Sequence, residues 1–308
     1  MSAAHTPPAR VVDGLVVIGT GFMGASIARA AKSHGVTGPV IGIDPRQASA
    51  AQSAGCIDIA VPSIDALTAC APLSGCALGV VLASPVKTYG DIFQQLESTF
   101  GGARHAQGAT TCTIDWITDI GSTKSGVLTA VDAQLSTLVS RFVSSHPMAG
   151  SEKQGPEHAR EDLLHGARVL ISRLEGSSDH AVRQVESFWV ALGAQPSALP
   201  IHDHDGLLAA ISHLPHVLAF ALAGALAQSP LAVAAQTLHG GGLRDTTRIA
   251  ASSAELWADI FLDNRTALLA AWTEWSLQLQ ALHQALEQGD RALLVDLLTQ
   301  ASRWRAEF

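Results

Sequence analysis

The sequence predicts an α/β domain built on a doubly wound parallel sheet, followed by an all-α domain. Three observations carry this. Short apolar runs alternate with helix-like stretches as far as Leu174. A glycine-rich turn joins the first run to the first helix. From His180 onward, apolar residues recur at spacings of 3 to 4 without strand alternation.

Leu15–Gly19 (LVVIG) reads as the first strand and Phe22–His34 as a helix of small residues ended by Gly35. Val40–Asp44 (VIGID) is a second buried strand, and Gln47–Ala54 is a helix closed by Gly55. Leu78–Ala83 (LGVVLA) is a third strand, with Thr88–Ser98 helical after it. Trp116–Ile120, Phe142–Ser145 and Val169–Ser172 follow as strands, the last expected to end the sheet. Gly101–Thr113 reads as a loop, and Glu175–Asp179 (EGSSD) as a linker between domains 1–176 and 177–308. Beyond it, Glu255–Gln288 is expected as one long helical run and Ala292–Trp304 as another.

Composition narrows the function classes. Of 308 residues, 47% are hydrophobic and 15% charged, which excludes an extended disordered chain. The four cysteines form no CxxC pair and fit the reducing cytoplasm. A formal net charge of -8 without a Lys/Arg run argues against a nucleic-acid partner. The first ten residues lack the apolar core of a signal peptide. The apolar stretch Gly206–Ala227 carries two histidines, a serine and Pro215, so it is expected as a buried, Pro-kinked helix rather than a membrane span. Helices this apolar need a partner surface, and a homodimer through the helical half is expected.

Gly19-Thr20-Gly21-Phe22-Met23-Gly24 matches GxGxxG between a strand and a helix, the Rossmann-type setting for a dinucleotide. The helix N-terminus offers free amides to a pyrophosphate. Asp44 lies twenty residues past Gly24 at a strand end, where a carboxylate holds the ribose and repels a 2′-phosphate. NAD is therefore favoured; Arg46, able to pair with that phosphate, keeps NADP possible. Ser84, just past the third strand, is assigned to the cofactor with them.

Three further segments carry polar groups suited to chemistry. Ser122 and His146 follow strands, so both should face one crevice at the carboxyl ends of the sheet. Arg244 and Arg248 lie in GGLRDTTRIA, with Arg248 the expected carboxylate ligand. Ser212-His213-Leu214-Pro215-His216 is a fourth contributor.

The words GTGFMGAS, DIGSTKS, SSHPMAGSEKQG, ISHLPH, GGLRDTTRIA and ELWADIFLDNR, in this order, resemble the prephenate/arogenate (cyclohexadienyl) dehydrogenases of tyrosine biosynthesis. The resemblance covers roughly Leu15–Arg265. It implies NAD(P)-dependent oxidative decarboxylation of prephenate, arogenate or both. His146 then suits the general base and Ser122 the group that hydrogen-bonds it and fixes its tautomer. The resemblance also places Ser212, His213 and His216 near the substrate. It sets Glu152 and Trp257 at the pocket's flank and has Asp245 holding an arginine. No metal is required, because aromatisation drives the loss of carbon dioxide. His202-Asp203-His204-Asp205 therefore reads as helix capping, with Asp205 a candidate for the cofactor or the domain junction. Trp272 and Trp275 fit helix packing. The competing enzyme class is a β-hydroxyacid or imine oxidoreductase, commonly dependent on a lysine in its helical half; no lysine occurs from residue 180 onward. A non-catalytic NAD sensor is the alternative from outside enzymology.

Overall fold

The computed structural model describes residues 10–102, 112–151 and 153–307. The expected loop Gly101–Thr113 falls mostly outside them. Contacts divide the chain into two units: Met1–Asp205 with Ala251–Asp263, and Gly206–Ala250 with Asn264–Phe308.

In the first unit, β1 (Gly14–Ile18), α1 (Phe22–Ser33), β2 (Val40–Ile43), α2 (Ala48–Ser53) and β3 (Ile59–Val61) come first. Then come β4 (Ala77–Leu82), α3 (Tyr89–Phe100), β5 (Thr113–Asp119), α4 (Ser125–Gln134), β6 (Phe142–Pro147), β7 (Arg168–Ser172), α5 (Asp179–Ala191) and β8 (Gln195–Ala198). They form one eight-stranded sheet, ordered β3-β2-β1-β4-β5-β6-β7-β8. Every residue of β1 is buried, as a strand covered on both faces requires. Leu15 and Val17 pack with Ala25 and Ile27 of α1 and Phe188 and Trp189 of α5. Val16 and Ile18 face the opposite core, built on Tyr89, Phe93, Val127 and Phe142. Gly79 is required on β4 because Trp116 lies over it, 2.2 Å from where a Cβ would stand. The chain crosses to opposite sides between β1–β2 and β1–β4, which opens the ligand crevice of such sheets beyond the carboxyl end of β1.

Two expectations about the sheet need correction. It does not end at Ser172: β8 pairs parallel to β7, from Arg168↔Gln195 to Ile171↔Ala198. The sequence QPSA carries no apolar alternation, and Pro196, lacking an N–H, is tolerated because β8 is an edge strand. Nor is the sheet wholly parallel, since β6 and β7 run antiparallel. An antiparallel neighbour needs no crossover helix, and among the described residues of the link the regular piece is the 3₁₀ turn Pro156–His158.

The first unit closes with α10 (Ala254–Asp263), which follows α6 to α9 in the chain and where Asp259 pairs with Lys87 at 2.8 Å. The expected single helix Glu255–Gln288 is broken at Asn264 (φ -102°, ψ 27°), after which α11 runs over Arg265–Gln288.

The second unit is helical. α6 (Ile201–Leu208) starts in the first unit, which it leaves after Asp205, and continues into a π-helical turn, Ala209–His213, and then α7 (Leu214–Ala227). Pro215 sits in the first turn of α7, where its missing N–H is harmless, and the irregularity expected of it lies in the π turn just before. α8 (Ala232–Leu238), α9 (Gly241–Thr247), α11 and α12 (Arg291–Arg305) complete the unit. α7 is not the buried helix expected from its composition: only Leu214 and Ala219 in it are buried. Leu231, Val233, Leu238 and Leu277 are 61–80% exposed in the single chain. By length and composition alone, Ile201–Ala227 would cross a membrane.

Candidate active site

The glycine turn after β1 has the shape its sequence requires. Gly19 adopts φ +94°, and a Cβ there would stand 2.5 Å from the Ser84 amide nitrogen. A Cβ on Gly24 would stand 1.9 Å from the Gly19 carbonyl oxygen, so only glycine lets α1 approach β1 this closely. At Gly21 the nearest atom to an added Cβ is Gln47 Oε1 at 3.4 Å, which leaves open space above the backbone. Gly21 caps α1 without a side chain, and Ala25 is the first amide bonded back to it. The buried atoms Thr20 Oγ1 and Gln47 Oε1 have no hydrogen-bond partner among the described residues. Open space, free amides and orphaned polar atoms together fit a dinucleotide phosphate. Asp44 ends β2 as expected. Its Oδ2 accepts the Thr20 amide at 2.9 Å, and its Oδ1 accepts the amides of Arg46 (2.8 Å) and Gln47 (2.9 Å). The Arg46 side chain is exposed, Phe22 is buried, and Ser84 Oγ shares a hydrogen bond with Thr88 Oγ1 at 2.9 Å. A Gly24→Ala variant is expected to lose NAD affinity by at least about tenfold in a calorimetric titration, because α1 must move off Gly19.

The carboxyl ends of β5 and β6 are pinned by a buried ion pair. Lys124 Nζ donates to Asp119 Oδ2 (2.6 Å), the Gly121 carbonyl (2.9 Å) and the Ser145 carbonyl (2.8 Å). Asp119 Oδ1 accepts Ser144 Oγ–H at 2.6 Å, while Oδ2 also accepts the Gly121 amide at 2.8 Å. Burial pulls the Lys124 ammonium below its usual pKa, against the Asp119 charge. Trp189 Nε1–H donates to Ser145 Oγ at 3.0 Å, which in turn meets Thr118 Oγ1 at 2.6 Å. These contacts fix the strand end that carries His146.

His146 is 8% exposed. Its Nδ1 meets Nε2 of His204 at 2.9 Å, a partner the sequence did not suggest. Ser122 is half-buried on the neighbouring loop and makes no hydrogen bond to His146. His204 Nδ1 meets Asp205 Oδ1 at 2.9 Å. Asp205 also accepts the Lys124 amide (2.8 Å), the Ser125 amide (2.9 Å) and Ser125 Oγ–H (2.6 Å). Burial pushes the Asp205 carboxyl upward, but these hydrogen bonds outweigh it and hold the group well below the usual carboxylate range. Burial also lowers His204 from the ordinary imidazole value, against the Asp205 hydrogen bond. The acids of His202–Asp205 read as caps of the helix that follows, with Asp205 also a candidate for the cofactor or the domain junction. Asp205 caps α4, an element distant in sequence, which brings His204 beside the end of β6.

The other expected site residues are described within their own units. In the second unit, His213 is 1% exposed and its Nδ1 accepts Asn264 Nδ2–H at 3.0 Å. His216 Nδ1 meets the Ser212 carbonyl at 2.9 Å; burial, then the Arg248 charge, lowers its pKa despite that bond. Asp245 pairs with Arg244 at 3.2 Å on the surface. Arg248 is exposed and opens the 3₁₀ turn Arg248–Ala251, so it leaves the helix that carries Arg244. Trp257 belongs to the first unit, half-buried, its ring 5.5 Å from Phe261. Trp272 and Trp275 pack edge to face at 5.5 Å. Glu152 lies outside the described residues.

Two family models match. The prephenate dehydrogenase nucleotide-binding domain covers residues 27–197, and the prephenate dehydrogenase dimerization domain covers 200–300. Over 298 residues the chain is 32% identical to a prephenate dehydrogenase of Bacillus subtilis, spanning 95% of this chain and 75% of that protein. It is 30% identical over 191 residues to a cyclohexadienyl dehydrogenase of Zymomonas mobilis, 61% of this chain and 64% of that one. Among solved structures, prephenate dehydrogenase from A. aeolicus in complex with hydroxyphenyl propionate and NAD+ superposes with a TM-score of 0.81 at 30% identity, covering 96% of this chain and 98% of that chain. Arogenate dehydrogenase from Synechocystis gives 0.74 at 25% identity over 96% of this chain and 99% of that chain.

Proposed function

The chain belongs to the prephenate dehydrogenase family of NAD-dependent oxidoreductases, and on that premise we propose that His146 is the general base and Arg248 the carboxylate anchor of an oxidative decarboxylation of prephenate, arogenate or both. The observation that carries this reading is the placement of His146, buried at the end of β6 with its ring held from one side by His204. NAD, when bound, supplies the hydride acceptor. His146 takes the proton of the ring hydroxyl as that carbon gains carbonyl character. Loss of carbon dioxide leaves the electron pair of the broken C–C bond to close the aromatic ring. The proton on His146 then returns to the phenolate, so the residue ends as it began. Such proton transfer contributes about 10²–10⁴-fold. Arg248 suits the substrate carboxylate because a guanidinium binds it bidentately. Ser122, at the carboxyl end of β5, is proposed as the second catalytic residue; Ser212, His213, His216, Glu152 and Trp257 are assigned to the substrate's surroundings, and Asp245 to holding an arginine.

A homodimer through the helical unit is supported by the dimerization-domain match and by the exposed Leu231, Val233 and Leu238. The four free thiols favour the cytoplasm.

The test is initial rates at 340 nm with prephenate and arogenate, each against NAD⁺ and NADP⁺. Turnover of either substrate supports the reading, and the kcat/KM ratios assign both specificities. No turnover in any pair, with NAD still bound, overturns it. For Arg248→Gln the expected result is a KM raised at least about tenfold, the loss of a charge-assisted hydrogen bond of about 1.5–3 kcal/mol, with NAD affinity retained. A fall in kcat alone would remove Arg248 from the anchoring role.

A further inference from the structure

A base must present a bare nitrogen to its substrate, and a neutral imidazole has only one. Which nitrogen of His146 is bare is decided two residues away. The Asp205 carboxylate can only accept, so His204 carries its proton on Nδ1, 2.9 Å from Asp205 Oδ1. A neutral His204 then has a lone pair on Nε2, and that atom meets His146 Nδ1 at 2.9 Å. The His146 proton must therefore lie on Nδ1, which leaves Nε2 bare. We propose that His204 and Asp205 are positioning residues that hold His146 in the tautomer with an unprotonated Nε2. This rests on the reading of His146 as the base.

Every link is in place. His204 is fully buried and Asp205 is 9% exposed. Asp205 is itself oriented by the Lys124 and Ser125 amides and Ser125 Oγ–H. The other charged groups acting on His204 are Lys124 and Asp119, already paired with each other. Burial opposes charge on His204, which keeps its Nε2 an acceptor. The alternative arrangement, with His204 donating from Nε2, needs an imidazolium in that buried place, and it would leave the proton of His146 on Nε2, where the base must act.

Two substitutions separate this from packing. In His204→Gln an amide oxygen can still accept the His146 Nδ1 proton. In His204→Leu the buried volume is kept but the acceptor is lost. The expected result is that His204→Gln keeps kcat within about tenfold, while His204→Leu loses about 10- to 100-fold, part of the 10²–10⁴ that general-base catalysis supplies. If His204 only filled space, Leu would match or exceed Gln, and that order overturns the proposal. The second readout needs neither substrate nor folded variants. Long-range ¹H–¹⁵N spectra of the ¹⁵N-histidine-labelled full chain should show His146 protonated on Nδ1 and bare on Nε2 at neutral pH. The opposite pattern overturns the proposal directly. If the expected tautomer is seen without turnover of either substrate, the proposed reaction fails while the positioning role stands.

Discussion

His146→Asn is expected to lower kcat at least about 100-fold while NAD affinity stays unchanged. Asparagine keeps a hydrogen-bonding group on the strand end but has no basic nitrogen, so the hydroxyl proton has nowhere to go as the carbonyl forms. The residues proposed to hold the cofactor lie elsewhere, on the Gly19–Gly24 turn and beyond β2, so a fluorescence titration of NAD should be indifferent to the change. Loss of kcat and kcat/KM together, with binding intact, identifies an interaction made in the transition state. Unchanged turnover would remove His146 from the mechanism.

The second large effect is on stability. Lys124→Met is expected to destabilise the chain by about 3–5 kcal/mol, because Asp119 is left charged and fully buried with its ammonium partner removed. Urea unfolding measures this as a shifted midpoint at constant m-value. Adding Asp119→Asn to the same chain should recover most of the loss, since the uncompensated charge disappears while the amide still accepts one hydrogen bond from Ser144 or the Gly121 amide. If the single change alone leaves the midpoint in place, the ion pair does not hold the strand ends.

Much of this was legible in the chain. The strands covered on both faces announced themselves as unbroken apolar runs, because a strand buried twice has no polar side to show. The glycine turn was legible because Gly19 and Gly24 leave no room for a Cβ, while Gly21 keeps the space above the backbone open. The edge strand β8 was not, since an edge needs little apolar surface and QPSA has none of the usual strand residues. The break at Asn264 was hidden by helical spacing that continues through it. His204 was hidden for a different reason. Its partners are Asp205 beside it and His146 on a strand far back in the sequence, and no local pattern encodes a meeting of that kind. That His204 meets Nδ1 of His146 is likewise decided by a third element, which the loops carrying Ser122 and His146 do not announce.

The first unit is interrupted in the chain. Its last piece, Ala251–Asp263, is separated from the rest by Gly206–Ala250, which belongs to the other unit. A nascent chain on the ribosome can pair the strands of the sheet as they emerge, but Lys87 waits for Asp259 until a stretch of the second unit has already been made. The nucleotide-binding half is therefore not a module that can be cut out at one point: a fragment ending at Asp205 would lack part of its own surface. Transplanting this half into another protein, or splitting the gene for complementation, would have to carry Ala251–Asp263 along with it.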